Sequence, residues 1–563
     1  MQKTASLFER ATANHRSGRF ADAERDYLEL LGIDADNADG LRLLGALYVQ
    51  IDKPERAIEF FEHAHNAQPR NAETLNNLGV ALRNAGRLDD AIKRYEQAVS
   101  LDPQNAQARQ NLGNSYYDCG NALIAEDRRD ESGEWFERAV RLDPQNFRAL
   151  NNLAGIYRGK GRIEEAAALC RRALQLKPDY IEARINLGNT LRDLGNSGEA
   201  RECYEEALRI NPDSSDALNN LGILFQDLNR MPEAVGHYDK ALRLAPDSAV
   251  VKSNKAYALL ALGNYAEGWV LNEAGLGLKE RRGVMPFPPP AWDGREFPGQ
   301  RLLIWSEQGL GDNLQFIRYA ELCKQRGDKV VVQCPPPLLR LFKNCAGVDE
   351  VVVSAKESDF DYHVAMMSLP HIFGTILETV PARVPYLHVD KDTREKWAAR
   401  FADVPGLKVG LVWAGSSREN LVDAHLIDRR RSVSLELLRP LFNLEGITFV
   451  NLQMGEPASQ IDKAGLRDRI VDYMDEVEDF LDTAAIVEQL DLVIAVDTSV
   501  AHLAGGLGKP VWILSRFDAC WRWLQNRETN PWYPTARVFG QREAGEWGSV
   551  VEAVVLRLSC DRS

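Results

Sequence analysis

A repeat with a period of 34 residues constrains the fold of this chain more than any other feature of its sequence. Leu-Gly or Leu-Ala pairs recur at spacings of 34, 34, 41, 34 and 34, beginning at Leu44, Leu78, Leu112, Leu153, Leu187 and Leu221. Prolines repeat with the same spacings at Pro69, Pro103, Pro144, Pro178, Pro212 and Pro246. A residue that ends helices therefore occurs once per unit, which predicts a stacked array of small helical units.

Small residues also recur within each unit, where they let two short helices pack closely. The alanines are Ala57, Ala91, Ala166, Ala200 and Ala234, and Ala64, Ala98, Ala139, Ala173, Ala207 and Ala241. This pattern resembles the tetratricopeptide repeat (TPR), which implies an α superhelix. About eight units are expected over residues 1–282, and the seven extra residues of the unit of 41 are predicted within Ala122 to Ser132.

Composition limits the classes of partner. The 563 residues are 45% hydrophobic and 27% charged, with a net charge of −14, which predicts a folded protein and argues against nucleic acid or anionic membranes as partners. No run approaches the roughly 20 apolar residues of a membrane-spanning helix. The eight cysteines show no CxxC or Cys/His ligand spacing, so we expect free thiols, no metal site and a cytoplasmic protein.

The character of the sequence changes near residue 285. Residues 283–300 contain five prolines and predict a stiff linker or an extended segment lying on the next domain. Beyond them, short β-rich runs alternate with helical ones, which predicts two parallel α/β lobes at 301–390 and 391–563. Such lobes bind ligands where strand carboxyl ends meet helix amino ends.

One such junction is the turn Asp497 to His502, which follows the apolar strand 492–496 and opens a helix. Free backbone N–H groups and the hydroxyls of Thr498 and Ser499 would suit a diphosphate, although a plain helix cap explains the same residues. The segment resembles the D-T-G-x-x-H motif in the nucleotide-sugar site of bacterial heptosyltransferases, the family 9 glycosyltransferases. Ser499 replaces the usual glycine, which leaves less room for backbone contact with phosphate.

A second junction is Ser306 to Asn313, in which Gly309 and Gly311 allow a ligand to approach the backbone. A tight turn capped by Asp312 is the structural alternative. In heptosyltransferases the matching Gly-Asp lies beside the acceptor, so the resemblance implies Asp312 as general base and Gln308, Gly309 and Gly311 as the acceptor-side loop. Because a helix start lowers the basicity of a carboxylate, His363 and His371 remain rival bases.

Other residues complete the predicted donor site. Arg429, Arg430 and Arg431 follow a polar loop at 416–425 and would neutralise a leaving diphosphate, with a solvated turn as the alternative. Gln453, at the end of a strand, is placed to contact the nucleoside. The cluster Trp521, Trp523, Trp532 and Tyr533 is assigned to packing, not to sugar binding.

The repeats carry a ladder of asparagines in one register: Asn77, Asn111, Asn152, Asn186, Asn220 and Asn254. Asparagine is a poor helix former, so six copies inside helices need a reason. Either each amide connects neighbouring repeats, or the amides bind the backbone of an extended peptide on the concave face. The second arrangement resembles the asparagine ladder of the nucleocytoplasmic O-GlcNAc transferase.

Together these resemblances imply a TPR solenoid followed by a two-lobed GT-B fold with two Rossmann-like domains. The expected activity is transfer of a sugar from a nucleotide-sugar to Ser or Thr hydroxyls of a protein bound by the repeats, as in flagellin glycosyltransferases. The reaction would be inverting and metal-independent, without a cofactor, and the nucleotide-sugar would be a co-substrate. The alternatives are a lipopolysaccharide or polysaccharide acceptor and a non-catalytic TPR scaffold. The sugar, the nucleotide and the oligomeric state stay open.

Overall fold

A computed structural model describes residues 2–278, 290–415, 422–525 and 527–560 of the chain. The chain divides into two compact units, Met1–Ile210 and Asn211–Ser563. This division differs from the one expected near residue 283, because the last repeats belong to the second unit. Each unit is described by itself.

Consecutive helices of the first unit pack in pairs, as a tetratricopeptide superhelix requires. They are α1 (Gln2–Arg16), α2 (Phe20–Ile33), α3 (Ala38–Gln50), α4 (Pro54–Ala67), α5 (Ala72–Asn84), α6 (Leu88–Leu101), α7 (Ala106–Ala125), α8 (Arg129–Leu142), α9 (Phe147–Gly159), α10 (Ile163–Leu176), α11 (Ile181–Asp193) and α12 (Ser197–Ile210). The second unit begins with four more: α13 (Ser215–Asp227), α14 (Met231–Leu244), α15 (Ala249–Ala261) and α16 (Tyr265–Asn272). The repeat prediction is thus confirmed for about the first 270 residues.

Two local signals set the bounds of these helices. The turn inside each pair has one residue with positive φ, at Gly18, Asp52, Gly86, Asp127, Gly161, Gly195, Asn229 and Gly263. Glycine, Asp and Asn tolerate this left-handed conformation best. Asparagine side chains then cap the first helix of several pairs, as when Asn71 accepts from Thr74 N at 3.0 Å.

The seven extra residues lengthen a helix. A Cβ at Gly79 would lie 2.5 Å from the Tyr95 ring, and Gly120 has the same relation to Phe136 at 2.6 Å, also 16 residues later. The regular packing therefore resumes at Gly120, and the insertion precedes it within α7. The predicted location between Ala122 and Ser132 is wrong, and α7 has 20 residues where α5 has 13.

The second unit also contains two sheets of parallel strands. The four-stranded sheet has the order β3-β2-β1-β4, from β1 (Phe297–Trp305), β2 (Gly327–Gln333), β3 (Glu350–Val352) and β4 (Tyr362–Ala365). The six-stranded sheet has the order β10-β9-β8-β5-β6-β7, from β5 (Leu407–Val412), β6 (Ile447–Asn451), β7 (Ile470–Val471), β8 (Leu492–Val496), β9 (Val511–Ser515) and β10 (Ala536–Gly540). Every residue of β8 and β9 is buried, as expected for central parallel strands.

The six-stranded sheet repeats the strand order of doubly wound nucleotide-binding folds. Counted from β5, its strands run 3-2-1-4-5-6, and the other sheet runs 3-2-1-4. In such a sheet the ligand crevice lies between strands 1 and 4, at their carboxyl ends. The topology therefore selects the ends of β5 and β8, and those of β1 and β4.

Helices of varied length connect the strands. They are α17 (Leu310–Phe316), α18 (Ala320–Lys324), α19 (Leu339–Phe342), α20 (Leu369–Ile372), α21 (Lys391–Phe401), α22 (Val422–Arg431), α23 (Gln460–Lys463), α24 (Phe480–Glu488), α25 (Ser499–Gly506) and α26 (Gly548–Cys560). Two local predictions are wrong. Residues 422–425 are helical, not loop, and the helix expected at 435–442 is only a 3₁₀ turn at Arg439–Asn443, where Pro440 prevents a longer α-helix.

The predicted linker at 283–300 is described only in part, because residues 283–289 lie outside the described residues. Trp292 is buried, and its backbone N–H donates to the His363 carbonyl oxygen at 2.8 Å. Strand β1 begins at Phe297, inside the expected linker. The described part of the segment therefore lies on the four-stranded sheet.

Aromatic residues join the last repeat helices to the sheets within the second unit. Trp269 packs edge-on against Trp521 with ring centroids 5.3 Å apart, and Trp532 Nε1 donates to Tyr265 Oη at 2.8 Å. All four rings are buried. These rings therefore pack together in the interior of the unit, as predicted from the sequence.

Candidate functional site

The glycine-containing turn at 306–313 and the hydroxyl-containing turn at 497–502 face each other. A Cβ on Gly311 would lie 2.9 Å from the His502 ring and 3.7 Å from Ser499 Cα. Helix α17, which carries Asp312, follows β1 of the four-stranded sheet, whereas α25 follows β8 of the six-stranded sheet. The structure therefore brings the crevice ends of both sheets together at this point.

The turn after β8 presents a helix amino end. Thr498 is the N-cap of α25 with extended backbone, and its Oγ1 is buried without a hydrogen-bond partner among the described residues. The first N–H groups of a helix also lack partners within the helix. A buried polar atom without a partner is uncommon and fits a position where a ligand binds.

His502 is held as a neutral ring. Its Nδ1 lies 2.9 Å from Tyr533 Oη, and the ring stacks on Trp523 at 5.1 Å. Burial lowers the pKa of His502 to about 3, against the attraction of Asp497. His502 therefore shapes the turn and does not supply a positive charge to a phosphate at neutral pH.

Asp497 is the buried carboxylate of the turn. Burial acts to raise its pKa, but nearby positive charge, including the guanidinium groups of Arg431 and Arg522, outweighs burial and holds the pKa below its ordinary value. Its Oδ1 lies 4.0 Å from His502 Nε2. Asp497 therefore stays ionised and adds a negative charge to the turn.

The three arginines predicted to act together are separated in the structure. Arg431 donates to the Asp497 carbonyl oxygen at 2.8 Å and forms an ion pair with Asp428. Arg430 instead pairs with Asp227 at 3.2 Å and Asp518 at 3.0 Å, and Arg429 is exposed. Of the three, Arg431 is the one that contacts the turn at 497–502.

Gly415, just beyond β5, makes room for Arg431. A Cβ on Gly415 would lie 2.5 Å from both Nε and Nη2 of Arg431. The guanidinium therefore lies between the ends of β5 and β8, at the crevice that the strand order selects.

Asp312 is engaged on both carboxylate oxygens. Gly309 N–H donates to Oδ2 at 3.2 Å, and Arg522 forms an ion pair with Oδ1. The loop residues Gln308 and Gly309 also accept from the Asn313 side chain through their carbonyl oxygens. The cap expected as the alternative for Asp312 is therefore present, and it leaves the second oxygen to Arg522.

Sequence reasoning missed Arg522. It lies in a 3₁₀ turn, Trp521–Trp523, and its guanidinium stacks 4.4 Å from the centre of the Trp521 ring. Although burial acts to lower it, the pKa of Arg522 is raised, mainly by Asp312. An arginine between two tryptophans in an otherwise apolar segment was the available signal.

Gln453 and His363 lie apart from these turns. Gln453 is buried, and its Oε1 accepts from Trp413 N at 3.2 Å and Ala414 N at 2.8 Å, which orders the end of β5. It also lines a cavity of about 280 Å³ beyond β6, together with Asp472. His363 lies within β4, with Nδ1 3.3 Å from Trp305 Nε1, and not in the loop that carries Asp312. His371 is exposed in α20.

The ladder asparagines are partly exposed and form hydrogen bonds within each unit. In the first unit, Asn111 Nδ2 donates to Asn76 Oδ1 at 2.9 Å and Asn186 Nδ2 to Asn151 Oδ1 at 2.8 Å, in each case 35 residues back. Asn152 does the same toward Asn121, and Asn77 accepts from its neighbour Asn76. In the second unit, Asn254 donates to Asn219, whereas Asn220 donates to the Asp216 carbonyl of its own helix. The connecting role considered from sequence is therefore present, and each amide keeps further donor and acceptor capacity.

The described residues contain no cluster of three or more His, Cys, Asp or Glu side chains placed to hold a metal ion. They also contain no helix that is long and apolar enough to cross a membrane.

Two family models match residues of the repeat half of the chain. The family model described as the C-terminal domain of cilia and flagella-associated protein 70 matches residues 3–221, and the tetratricopeptide repeat model matches residues 215–248. Protein FlbA of Caulobacter vibrioides is 28% identical over 336 residues, which is 54% of this chain and 54% of FlbA. The chain thus covers about half the length of this curated relative.

Solved structures show the same likeness. YrrB, described as a TPR protein with an unusual peptide-binding site, is 24% identical with a TM-score of 0.30, over 34% of this chain and 96% of YrrB. The C-terminal part of a TPR protein from Cytophaga hutchinsonii is 17% identical with a TM-score of 0.34, over 44% of this chain and 98% of that one. From the helix pairs and the two family models, this is a protein with tetratricopeptide repeats, followed by an α/β region of two parallel sheets.

Proposed function

We propose that the chain is a glycosyltransferase of GT-B type that transfers a sugar from a nucleotide-sugar to a hydroxyl group of a protein held by the repeats. One observation carries the proposal. Asp312 lies on a turn that faces the amino end of α25, and two arginines, Arg431 and Arg522, lie at the same junction of two doubly wound sheets. This arrangement supports a proton acceptor opposite a site for an anion.

The roles of the residues follow from the chemistry of the transfer. The acceptor hydroxyl would give its proton to Asp312 while its oxygen attacks the anomeric carbon of the sugar. The bond from that carbon to the diphosphate breaks, and the nucleoside diphosphate leaves with the electron pair. Arg431 and the free N–H groups of α25 would stabilise the charge that develops on the diphosphate.

The repeats would supply the acceptor. Repeat arrays of this kind present extended surfaces for protein partners. The partly exposed ladder amides offer donors and acceptors to the backbone of an extended peptide. A polysaccharide acceptor would leave these amides with their structural role alone.

The first test is a panel of nucleotide-sugars incubated with the full-length protein while nucleotide release is measured. Asp312→Asn keeps the shape of the side chain and removes the proton acceptor. The rate of transfer should fall by about 10² to 10⁴, as for loss of a general base, while the nucleotide still binds. His363→Gln is the control, since His363 lies in another element.

A wild-type rate in Asp312→Asn together with a large loss in His363→Gln would move the base to His363. Absence of nucleotide release with every donor, in a protein that still binds partner proteins, would favour the scaffold alternative.

A further inference from the structure

The arginines at the proposed donor site are already paired with carboxylates of the protein. Arg431 pairs with Asp428, Arg522 pairs with Asp312, and Asp497 adds a third carboxylate. A diphosphate that enters the site must therefore compete with carboxylates for the guanidinium groups.

Arg431 is fixed by its surroundings. It contacts Asp428 through an ion pair, donates to the Asp497 carbonyl oxygen and packs over Gly415. These partners all belong to the six-stranded sheet and its connections. Binding of a ligand therefore need not separate Arg431 from any residue of the other sheet.

Arg522 has a different environment. Its backbone carbonyl accepts from Asn530 Nδ2 at 2.6 Å, and its guanidinium stacks on Trp521 and lies 3.1 Å from Cys520 Sγ. These contacts hold the stem in place. Its charged partner, Asp312, lies in the first turn of α17, which follows β1 of the other sheet. The positive charge of Arg522 also acts on Asp497, beside the amino end of α25.

We propose, building on the function proposed above, that the Arg522 guanidinium exchanges Asp312 for the diphosphate of the donor, and that this exchange frees Asp312 to accept the acceptor proton. A doubly charged diphosphate binds a planar guanidinium more strongly than one carboxylate does. With the Gly309 N–H on one oxygen and Arg522 on the other, both oxygens of Asp312 are occupied until Arg522 leaves. The base therefore becomes effective only when the donor is bound, which requires that the donor binds first.

The test measures binding of inorganic pyrophosphate to the full-length protein by calorimetry. Arg522→Gln should weaken binding by about tenfold or more, as for loss of a charge-assisted hydrogen bond. Asp312→Asn should tighten binding, because it removes the competitor for Arg522. When Arg522→Gln is already present, adding Asp312→Asn should no longer tighten binding, because the Arg522 guanidinium that the change would release is absent.

The exposed pair Arg439 and Glu436 provides matched controls, and Arg439→Gln and Glu436→Gln should leave pyrophosphate affinity unchanged. If Asp312→Asn tightens binding equally with and without Arg522, its effect is general charge removal and the exchange is refuted. Should Arg522→Gln unfold, Arg522→Lys keeps the charge and loses the planar fork, and an affinity equal to that of the wild type would also refute the exchange.

These results separate the exchange from the function on which it builds. Coupling between Arg522 and Asp312 without nucleotide release from any sugar donor would support the exchange and oppose transfer activity. Sugar transfer would support the activity even if pyrophosphate binding by the single and double variants showed no coupling between Arg522 and Asp312. That absence of coupling would overturn the exchange.

Discussion

Gly415 shows how one missing side chain positions a charge. Its Cα lies against the Arg431 guanidinium, so a methyl group there would displace the end of that flexible side chain and not the backbone. Gly415→Ala should therefore weaken nucleotide binding by about tenfold, the loss expected for a hydrogen bond to a charged group. The melting temperature should change little.

Gly540→Ala is the matched control in the same sheet, because a Cβ there meets nothing within 4 Å. Calorimetric titration with the nucleotide found in the donor panel measures the difference. Equal affinity of both variants and the wild type would show that Arg431 does not contact the ligand.

His502 makes stability depend on pH with a definite sign. The pKa of the buried ring is about 3, whereas an unfolded histidine titrates near 6.5. Between these values the unfolded chain binds more protons than the folded one, so stability falls as the pH decreases from 6.5 toward 3. His502→Gln should flatten this dependence, measured as melting temperature between pH 7 and pH 5.

The exposed His371 is the control for replacing a histidine by glutamine, and the slope of His371→Gln is compared with that of His502→Gln. A slope that is the same in His502→Gln and in the wild type would mean that other groups cause it.

Local patterns predicted the elements better than they predicted the contacts between them. Strand β8 and the first helices of the repeats lie where hydrophobic runs and repeat spacing put them, because these signals are local. The pairing of Arg522 with Asp312 joins residues 210 positions apart, and no periodicity encodes it. The separation of Arg430 from Arg431 could not be predicted for a related reason, since neighbouring side chains on α22 point in different directions and meet different carboxylates.

The asparagine ladder can be tested by comparing two helices of the second unit. Asn254 connects α15 to Asn219 of α13, whereas Asn220 donates within its own helix. Asn254→Ala should lower the free energy of unfolding by roughly 0.5 to 1.5 kcal/mol, the net value of such a bond. Asn220→Ala should leave stability nearly unchanged and weaken transfer to the protein acceptor.

Thermal unfolding and the KM for the protein acceptor are the two measurements. An Asn220→Ala variant with an unchanged KM, beside a destabilised Asn254→Ala variant, would leave the ladder with its structural role alone.

At the scale of the whole molecule, the last repeats belong to the same unit as the two parallel sheets. Tyr265 and Trp269 are buried against Trp521 and Trp532. A fragment of residues 211–563 should therefore unfold cooperatively, whereas a fragment of residues 290–563 exposes these aromatic rings to water and should be less stable or aggregate.

Near-ultraviolet circular dichroism and thermal unfolding of the two fragments provide the comparison. Equal melting temperatures and equal aromatic signals would show that the sheets do not need the repeat helices.

The extended helix α7 shows which changes of length a repeat array accepts. An α-helix turns by about 100° per residue, so seven added residues leave the next face only about 20° out of phase. Gly120 accordingly meets Phe136 as Gly79 meets Tyr95. Five added residues would instead rotate the following face by about 140° and turn the glycine away from its aromatic partner. Relatives of this chain should therefore differ in repeat length by four or seven residues, because insertions close to whole helical turns keep the packed faces aligned.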